Sequence, residues 1–523
     1  MKNKETRNKS GSGAVRTVGI MMGATVISKL LGMLRGVLQT RAWGTTPQAN
    51  AFTAASKLPL AVFDMFLSAA VLGCFIPVYN SLVKKDGLSD ETDMREADRF
   101  ASGFLTFIIA VCGLAALLGI IFAEPLLRLM TAGLDAETFA LAVTLTRMMF
   151  PMMIFTGAAY TLVGVLQSKG SFVAPAMISA ISNAGVVIYL AVVNPLLGDK
   201  GIYGLAAAYT LAWLIQLLTL VAPLKKLGFS YRPRLDLKDP SLIMAGSWLS
   251  PMGVLLGQYF AAQVAVRTAV SGATTVFDCA NNIYVMIAGT LTYSICNYTF
   301  PKLSRLAGND GKGFAATIRG GLVSALYIAV PFMAAALVLT GEGVSVLYKR
   351  EAFTAEDAKN TAMALRPMLA AMPFFCVTEL FSRVFYSKNQ VKIPMFAAVA
   401  GIAANALTGS VLVRMDVGSV AAVGAANGVG QFVSALILFV FAVKRIQGLI
   451  DKGLVRDTLG ILFGGVVVFA VSAVMSRLVS SEPYTASFIT NVVKAVVIFA
   501  PSAVLYLVLT KLARIGLFGK NRL

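Results

Sequence analysis

VRTVGIMMGATVISKLLGMLRGVLQTRAW, residues 15–43, is apolar enough and long enough to cross a bilayer, yet it carries Lys29, Arg35 and Arg41. A hydrocarbon core is about 30 Å thick, so roughly 20 apolar helical residues span it. A cation at its centre costs on the order of 3 kcal/mol even on lenient insertion scales. Lys57 and Asp64 follow inside the next apolar stretch. Several cations in adjacent spans point to a water-filled interior and an anionic ligand. Outward from this segment, similar apolar stretches recur to the end of the chain. Of its 523 residues, 57% are hydrophobic and 13% charged, and the mean hydropathy is +0.76. The pattern is that of an all-α polytopic membrane protein. A transmembrane barrel would alternate polar and apolar residues with period two, and these stretches do not.

About fourteen transmembrane helices are expected. An even count puts both termini on one side. Tails and loops on that side hold most of the Lys and Arg, among them Lys84, Lys85, Arg95, Arg99, Lys225, Lys226, Arg232, Arg234 and Lys238. The positive-inside bias therefore places both termini in the cytoplasm. The expected organisation is a basic tail (1–14), a six-helix lobe (15–224), a basic linker (225–240), a second six-helix lobe (241–443), two additional helices (457–510) and a basic tail (511–523).

Composition excludes several classes. The chain has no histidine, so a His relay or His metal site is ruled out. Cys74, Cys112, Cys279, Cys296 and Cys376 fall in apolar stretches without metal-site spacing and read as small buried hydrophobes. The N-terminus, MKNKETRNKSGSG, has no small-residue cleavage site after a short apolar core. The net charge of +20 sits in short loops between spans, which argues against a nucleic-acid partner. No GxxxxGK[ST] loop, nucleophile–base set or metal constellation stands out, so no cofactor or metal is expected. A monovalent cation gradient or the membrane potential is the expected driver, the latter worth about 2.3 kcal/mol per charge per 100 mV.

The chain resembles itself at an offset of about 220 residues. Phe75-Ile76-Pro77 recurs as Phe300-Pro301, and Asp135-Ala136-Glu137 as Thr354-Ala355-Glu356. Arg147 recurs as Arg366, Pro151 as Pro373, and Ser168-Lys169 before Pro175 as Ser387-Lys388 before Pro394. Six spans separate the copies, so both halves share one orientation, related by an axis along the membrane normal. Two such lobes around a cleft suit alternating access.

Lys29, Gly32, Arg35 and Gly36 lie in SKLLGMLRG. The GxxxG allows close helix approach. Lys29 and Arg35 are about 120° apart around a helix, so they line a broad wall. Lys57 and Asp64 are two turns apart on the next helix. A scaffold reading has Lys29 and Arg41 snorkel to opposite interfaces while Asp64 neutralises one cation, but it accounts poorly for mid-span Arg35. Arg147 and Arg366, at equivalent repeat positions near helix starts, read as anchors. Glu379 precedes Arg383 by four residues, the favourable spacing for a structural ion pair. Asp278, with Asn281 and Asn282, makes a polar patch on the eighth span. Asp64 and Asp278 are the candidate cleft or coupling acids.

SKLLGMLRGVLQTRAWGTTPQANAF (28–52), KLP (57–59), FIPV (75–78), LYKREAFTAEDAKNTAMAL (347–365) and RVFYSKNQVKIP (383–394) together resemble the lipid II flippase family of the MurJ type, within the multidrug/oligosaccharidyl-lipid/polysaccharide exporter superfamily. The resemblance covers most of the chain. It implies a transporter rather than an enzyme, in the bacterial cytoplasmic membrane, moving undecaprenyl-diphosphate-linked muropeptide to the outer leaflet for peptidoglycan synthesis. It implies lipid II and membrane lipids as partners and admits cell-wall synthesis proteins. Lys29, Arg35 and Lys57 would engage the diphosphate, with Asn50 and Asn282 as weaker contacts. The last two helices would form a groove for the lipid tail. The chain departs from the family pattern at Lys29, where arginine is usual, and at Gly36 and Asn50, where acids are. Phe63 and Asp64 replace an arginine pair, Ser68 a glutamate and Asn282 an arginine. Lys lacks the bidentate fork of Arg, so fewer fixed phosphate contacts remain. A flippase for another polyprenyl-diphosphate-linked glycan, a cation-coupled multidrug exporter and a non-transporting cell-wall scaffold are the alternative readings.

Overall fold

The computed structural model describes residues 24, 27–63, 75, 79, 82, 91–130, 134–234, 273–306, 311–388, 390, 392–415, 419–479 and 481–515. Asp64, Ser68, Cys74, the N-terminal tail, residues 516–523 of the C-terminal tail, the linker segment 235–240 and the expected span 241–268 lie outside them. The described residues fall into two compact units, one within Met1–Ala42 and Pro47–Leu256, the other within Trp43–Thr46 and Gly257–Leu523. Among the described residues, nine helices are long and apolar enough to cross a membrane. A tenth is formed if Ala355–Ala370 and Met372–Ser387, bent by 50°, make one span.

The first unit contains α1 (residues 27–43), α2 (Pro47–Phe63), α3 (Glu91–Ile121), α4 (Ala123–Met130), α5 (Ala136–Met149), α6 (Met152–Ser168), α7 (Val173–Ile188) and α8 (Gly201–Lys226). A π-helical turn, Tyr189–Val193, extends α7. Asp135 caps α5 by accepting from the Thr138 amide, and this bond, with one from the Thr138 hydroxyl, holds the Asp135 carboxyl below the usual carboxylate range. Helix α8 packs on α6 and α7, and α3 packs on α6. Phe75 lies against Tyr79, Phe100 and Phe104, with centroids 4.9–5.7 Å away.

The second unit contains α9 (Ala273–Tyr284), a π-helical turn (Val285–Gly289), α10 (Thr290–Leu306), α11 (Gly311–Val338), α12 (Thr340–Tyr348), α13 (Ala355–Ala370), α14 (Met372–Ser387), α15 (Lys392–Arg414), α16 (Ser419–Arg445), α17 (Lys452–Leu478) and α18 (Phe488–Ala513). Thr354 and Asp357 form a capping box on α13. Thr45, in the turn that belongs to this unit, donates to Asp357 at 2.7 Å. Gly44 in the same turn has φ +53°, and a Cβ there would collide with the Ala352 carbonyl.

The repeat is visible in the caps. Asp135 and Thr354 start α5 and α13, and Lys169 and Lys388 end α6 and α14, at the sequence offset of 219. Pro373 sits in the first turn of α14, directly after the 50° bend, where its missing N–H costs least. Helices α15 and α16 approach through Gly401 and Gly430: a Cβ at Gly430 would lie 2.7 Å from the Gly401 carbonyl oxygen. Small residues at such contacts serve where lipid offers no hydrophobic drive for helix association.

Helices α17 and α18 turn large apolar side chains outward, including Phe463 at 68% and Leu512 at 78% exposure. Lipid solvates such surface and water does not. Their buried faces also carry polar contacts. Ser472 and Ser502 are 2.9 Å apart, and the Tyr506 hydroxyl donates to the Tyr327 carbonyl at 3.0 Å. Lys494 and Glu342, 4% and 3% exposed, pair at 2.9 Å, and Lys494 also donates to the Ser481 carbonyl at 2.9 Å. This pair fastens α18 to α12. Removing one partner strands a buried charge, which costs about 3–5 kcal/mol. Lys494→Met or Glu342→Gln alone is expected to lower the thermal unfolding temperature of the purified chain markedly. The double variant is expected to recover most of the loss.

Candidate functional site

The approach of α1 to α7 positions the cation. Gly32 faces Asn183, and a Cβ there would lie 3.3 Å from the Asn183 amide nitrogen. That nitrogen donates to the Ser28 carbonyl at 3.2 Å, which aims the amide oxygen the other way. Arg35, one turn after Gly32, donates to this oxygen at 2.8 Å. Its guanidinium also lies 5.3 Å from the centroid of Tyr209 on α8. The Tyr209 hydroxyl donates to Gln39 at 3.3 Å, and Phe52 meets the Tyr209 ring edge-on at 5.0 Å. The ring is thus fixed from two sides.

These partners orient Arg35 without neutralising it. An amide oxygen and a ring face are neutral, and among the described residues no carboxylate pairs with Arg35. Its Nε is buried without an acceptor. A buried donor of this kind costs free energy until an acceptor arrives. The half-buried guanidinium therefore holds a full charge and an unused donor in a fixed pose, which is chemistry suited to an oxyanion.

The other expected site residues divide by unit. Lys29 is exposed on α1, six residues before Arg35. On α2, Asn50 is buried and Lys57 half-buried, seven residues apart and so nearly in line along one face. Asp64 lies outside the described residues. In the second unit, Asn282 donates to Asp278 at 3.3 Å. Glu379 and Arg383 lie 3.8 Å apart, and Arg383 also lies 5.6 Å from the Tyr293 ring. Arg147 donates to the Ile120 carbonyl at 3.3 Å. Cys112, Cys279, Cys296 and Cys376 are buried free thiols. Among the described residues no cluster of three His, Cys, Asp or Glu could hold a metal ion.

Asn183 and Tyr209, the residues that set the pose of Arg35, are not legible in the sequence as site residues. The available signal was faint: Asn183 is one polar residue in the apolar run of α7. The Lys494–Glu342 pair is not legible either, although Lys494 stands alone among apolar neighbours.

A family model described as lipid II flippase MurJ matches residues 40–504. A probable lipid II flippase MurJ of Bdellovibrio bacteriovorus is 26% identical, covering 79% of this chain and 78% of that protein. One from Thermotoga maritima is 23% identical, covering 87% and 89%. A solved lipid II flippase MurJ in an inward closed conformation superposes with a TM-score of 0.78 at 20% identity, covering 94% of this chain and 98% of that one. An inward-facing multidrug resistance MATE family transporter of the MOP superfamily gives 0.67 at 15% identity, covering 82% and 98%.

The Asn183 contact is testable apart from any activity. Hydrogen bonds to charged groups contribute about 1.5–3 kcal/mol, and partial exposure of this one brings it toward the lower end. Asn183→Leu is expected to destabilise the purified chain by about 1 kcal/mol in thermal unfolding. In an Arg35→Leu background the same change should cost much less, because the two side chains act as one contact.

Proposed function

The chain belongs to the lipid II flippase MurJ family, and from that membership we propose that it moves lipid II from the inner to the outer leaflet of the bacterial cytoplasmic membrane, supplying peptidoglycan synthesis. It is a transporter, not an enzyme. The observation that carries the reading is Arg35: a cation within a membrane-spanning lobe, held in place by Asn183 and Tyr209 and paired with no described carboxylate. A diphosphate offers the charge-assisted, multidentate bonds that such a group lacks.

In this account Lys29, Arg35 and Lys57 engage the diphosphate, and Asn50 and Asn282 add polar contacts. The first lobe supplies the cations, the second lobe alternates access against it, and the groove of α17 and α18 takes the undecaprenyl tail along its exposed apolar surface. Both termini are cytoplasmic, consistent with the placement of basic loops. The membrane potential or a monovalent cation gradient drives the cycle, with Asp64 or Asp278 as the coupling acid. Cell-wall synthesis proteins would receive the product. A cation-coupled drug exporter would need an acid free to exchange its ion for drug. Glu379 is instead paired with Arg383.

Complementation tests this reading. Cells depleted of their own lipid II flippase should grow when given the intact chain. Arg35→Ala should fail while still accumulating in the membrane, and Lys29→Ala should support growth only partly. Failure of the intact, inserted chain would count against lipid II as the substrate. Full rescue by both variants would remove the diphosphate role of these cations.

A further inference from the structure

A second basic site lies in the first unit, away from α1 and α2. A cavity of about 830 Å³ is lined by Arg95, Asp98, Arg99 and Ser102 of α3 and by residues 228–234 after α8, including Arg232 and Arg234. Its size falls within the roughly 300–1,000 Å³ typical of small-molecule pockets.

Helical spacing explains the first wall. Residues 95, 98, 99 and 102 are i, i+3, i+4 and i+7, one face of α3. The second wall is an extended segment pinned along that helix. Gly228, with φ +76°, turns the chain back after α8. The Arg232 amide then donates to the Ser102 hydroxyl at 3.4 Å and the Arg234 amide to the Thr106 hydroxyl at 3.2 Å. The Tyr231 hydroxyl lies 3.0 Å from the same Thr106 oxygen. Amides two residues apart that point the same way are a strand's signature.

The electrostatics are one-sided. Among the described lining residues, four arginines face the cavity with one carboxylate, Asp98, and both of its oxygens are engaged. One accepts from the Tyr79 hydroxyl at 2.7 Å and the other from Lys169 at 2.9 Å, whose side chain is only 5% exposed. Asp98 is thus tied to the scaffold rather than to the arginines around it. The guanidinium fork matches phosphate geometry, and arginines from both walls can reach one bound group. The site also lies at a membrane boundary, because the apolar part of α3 begins at Arg95 and that of α8 ends at Lys226.

We infer that this pocket is a binding site for a phosphate-bearing anion, distinct from the cations of α1 and α2. Two sources share that chemistry: the headgroup of an anionic phospholipid in the adjoining leaflet and a soluble phosphate compound.

The full chain in phosphatidylcholine nanodiscs provides the test. Inorganic pyrophosphate is titrated by calorimetry in one arm. In the other, phosphatidylglycerol is added and retained lipid is counted by native mass spectrometry. Binding of pyrophosphate alone identifies a soluble source, and selective retention of phosphatidylglycerol alone identifies a headgroup. Arg99→Gln with Arg232→Gln, one residue from each wall, should weaken the observed binding by at least about tenfold. Lys225→Gln with Lys226→Gln removes equal charge outside the lining and should leave it unchanged. Neither probe binding the intact chain would overturn the site, as would equal loss in both double variants or no loss in the arginine pair. If the arginine variant does not fold, phenylglyoxal labelling of the intact chain decides. The probes should protect Arg99 and Arg232, and unaltered labelling of both would overturn the inference.

Discussion

A cation that lipid rejects must be solvated by the protein, and at Arg35 neutral groups do this. Asn183 at 2.8 Å and the Tyr209 ring at 5.3 Å hold the guanidinium without cancelling its charge. The arrangement constrains the neighbourhood. A Cβ at Gly32 would press on the Asn183 amide nitrogen at 3.3 Å. Asn183 is oriented by its bond to the Ser28 carbonyl, and Tyr209 by Gln39 and Phe52. A carboxylate at the same distance would satisfy Arg35 more fully and leave little attraction for an anionic ligand.

The repeat shows where the two halves agree and where they diverge. The caps at Asp135 and Thr354, and at Lys169 and Lys388, recur with the same roles. The lysines have different partners: Lys169 pairs with Asp98, whereas Lys388 lies 4.7 Å from the Phe314 ring centroid. The counterpart of the first span has no charged residue from Pro240 to Val266. The shared scaffold therefore does not require cations there, and those at Lys29 and Arg35 belong to one lobe. This asymmetry supports the ligand role proposed for them, since the shared fold does not call for them.

Much of the fold was legible because hydropathy and punctuation are local signals. Apolar length marked the helices, Pro and Lys marked their ends, and Glu379 and Arg383 at four-residue spacing were found 3.8 Å apart. Partners distant in sequence were not legible. Asn183 is 148 residues from Arg35, and neither Lys494 nor Glu342 carries a local mark of the other. Periodicity assigns a residue to a face but does not say what that face meets. The eighth span was likewise expected as one helix, and a π-helical turn at Val285–Gly289 interrupts it. Such turns arise where a helix accommodates an extra residue, often near functional sites.

Arg35 is proposed to bind the diphosphate of the translocated lipid. Equilibrium binding of lipid II to the purified full chain, compared among the native protein, Arg35→Lys and Arg35→Gln, tests it most directly. Loss of a charge-assisted phosphate contact predicts at least about tenfold weaker binding for Arg35→Gln, with Arg35→Lys intermediate because it keeps the charge but not the fork. Equal affinity for all three proteins would contradict the account.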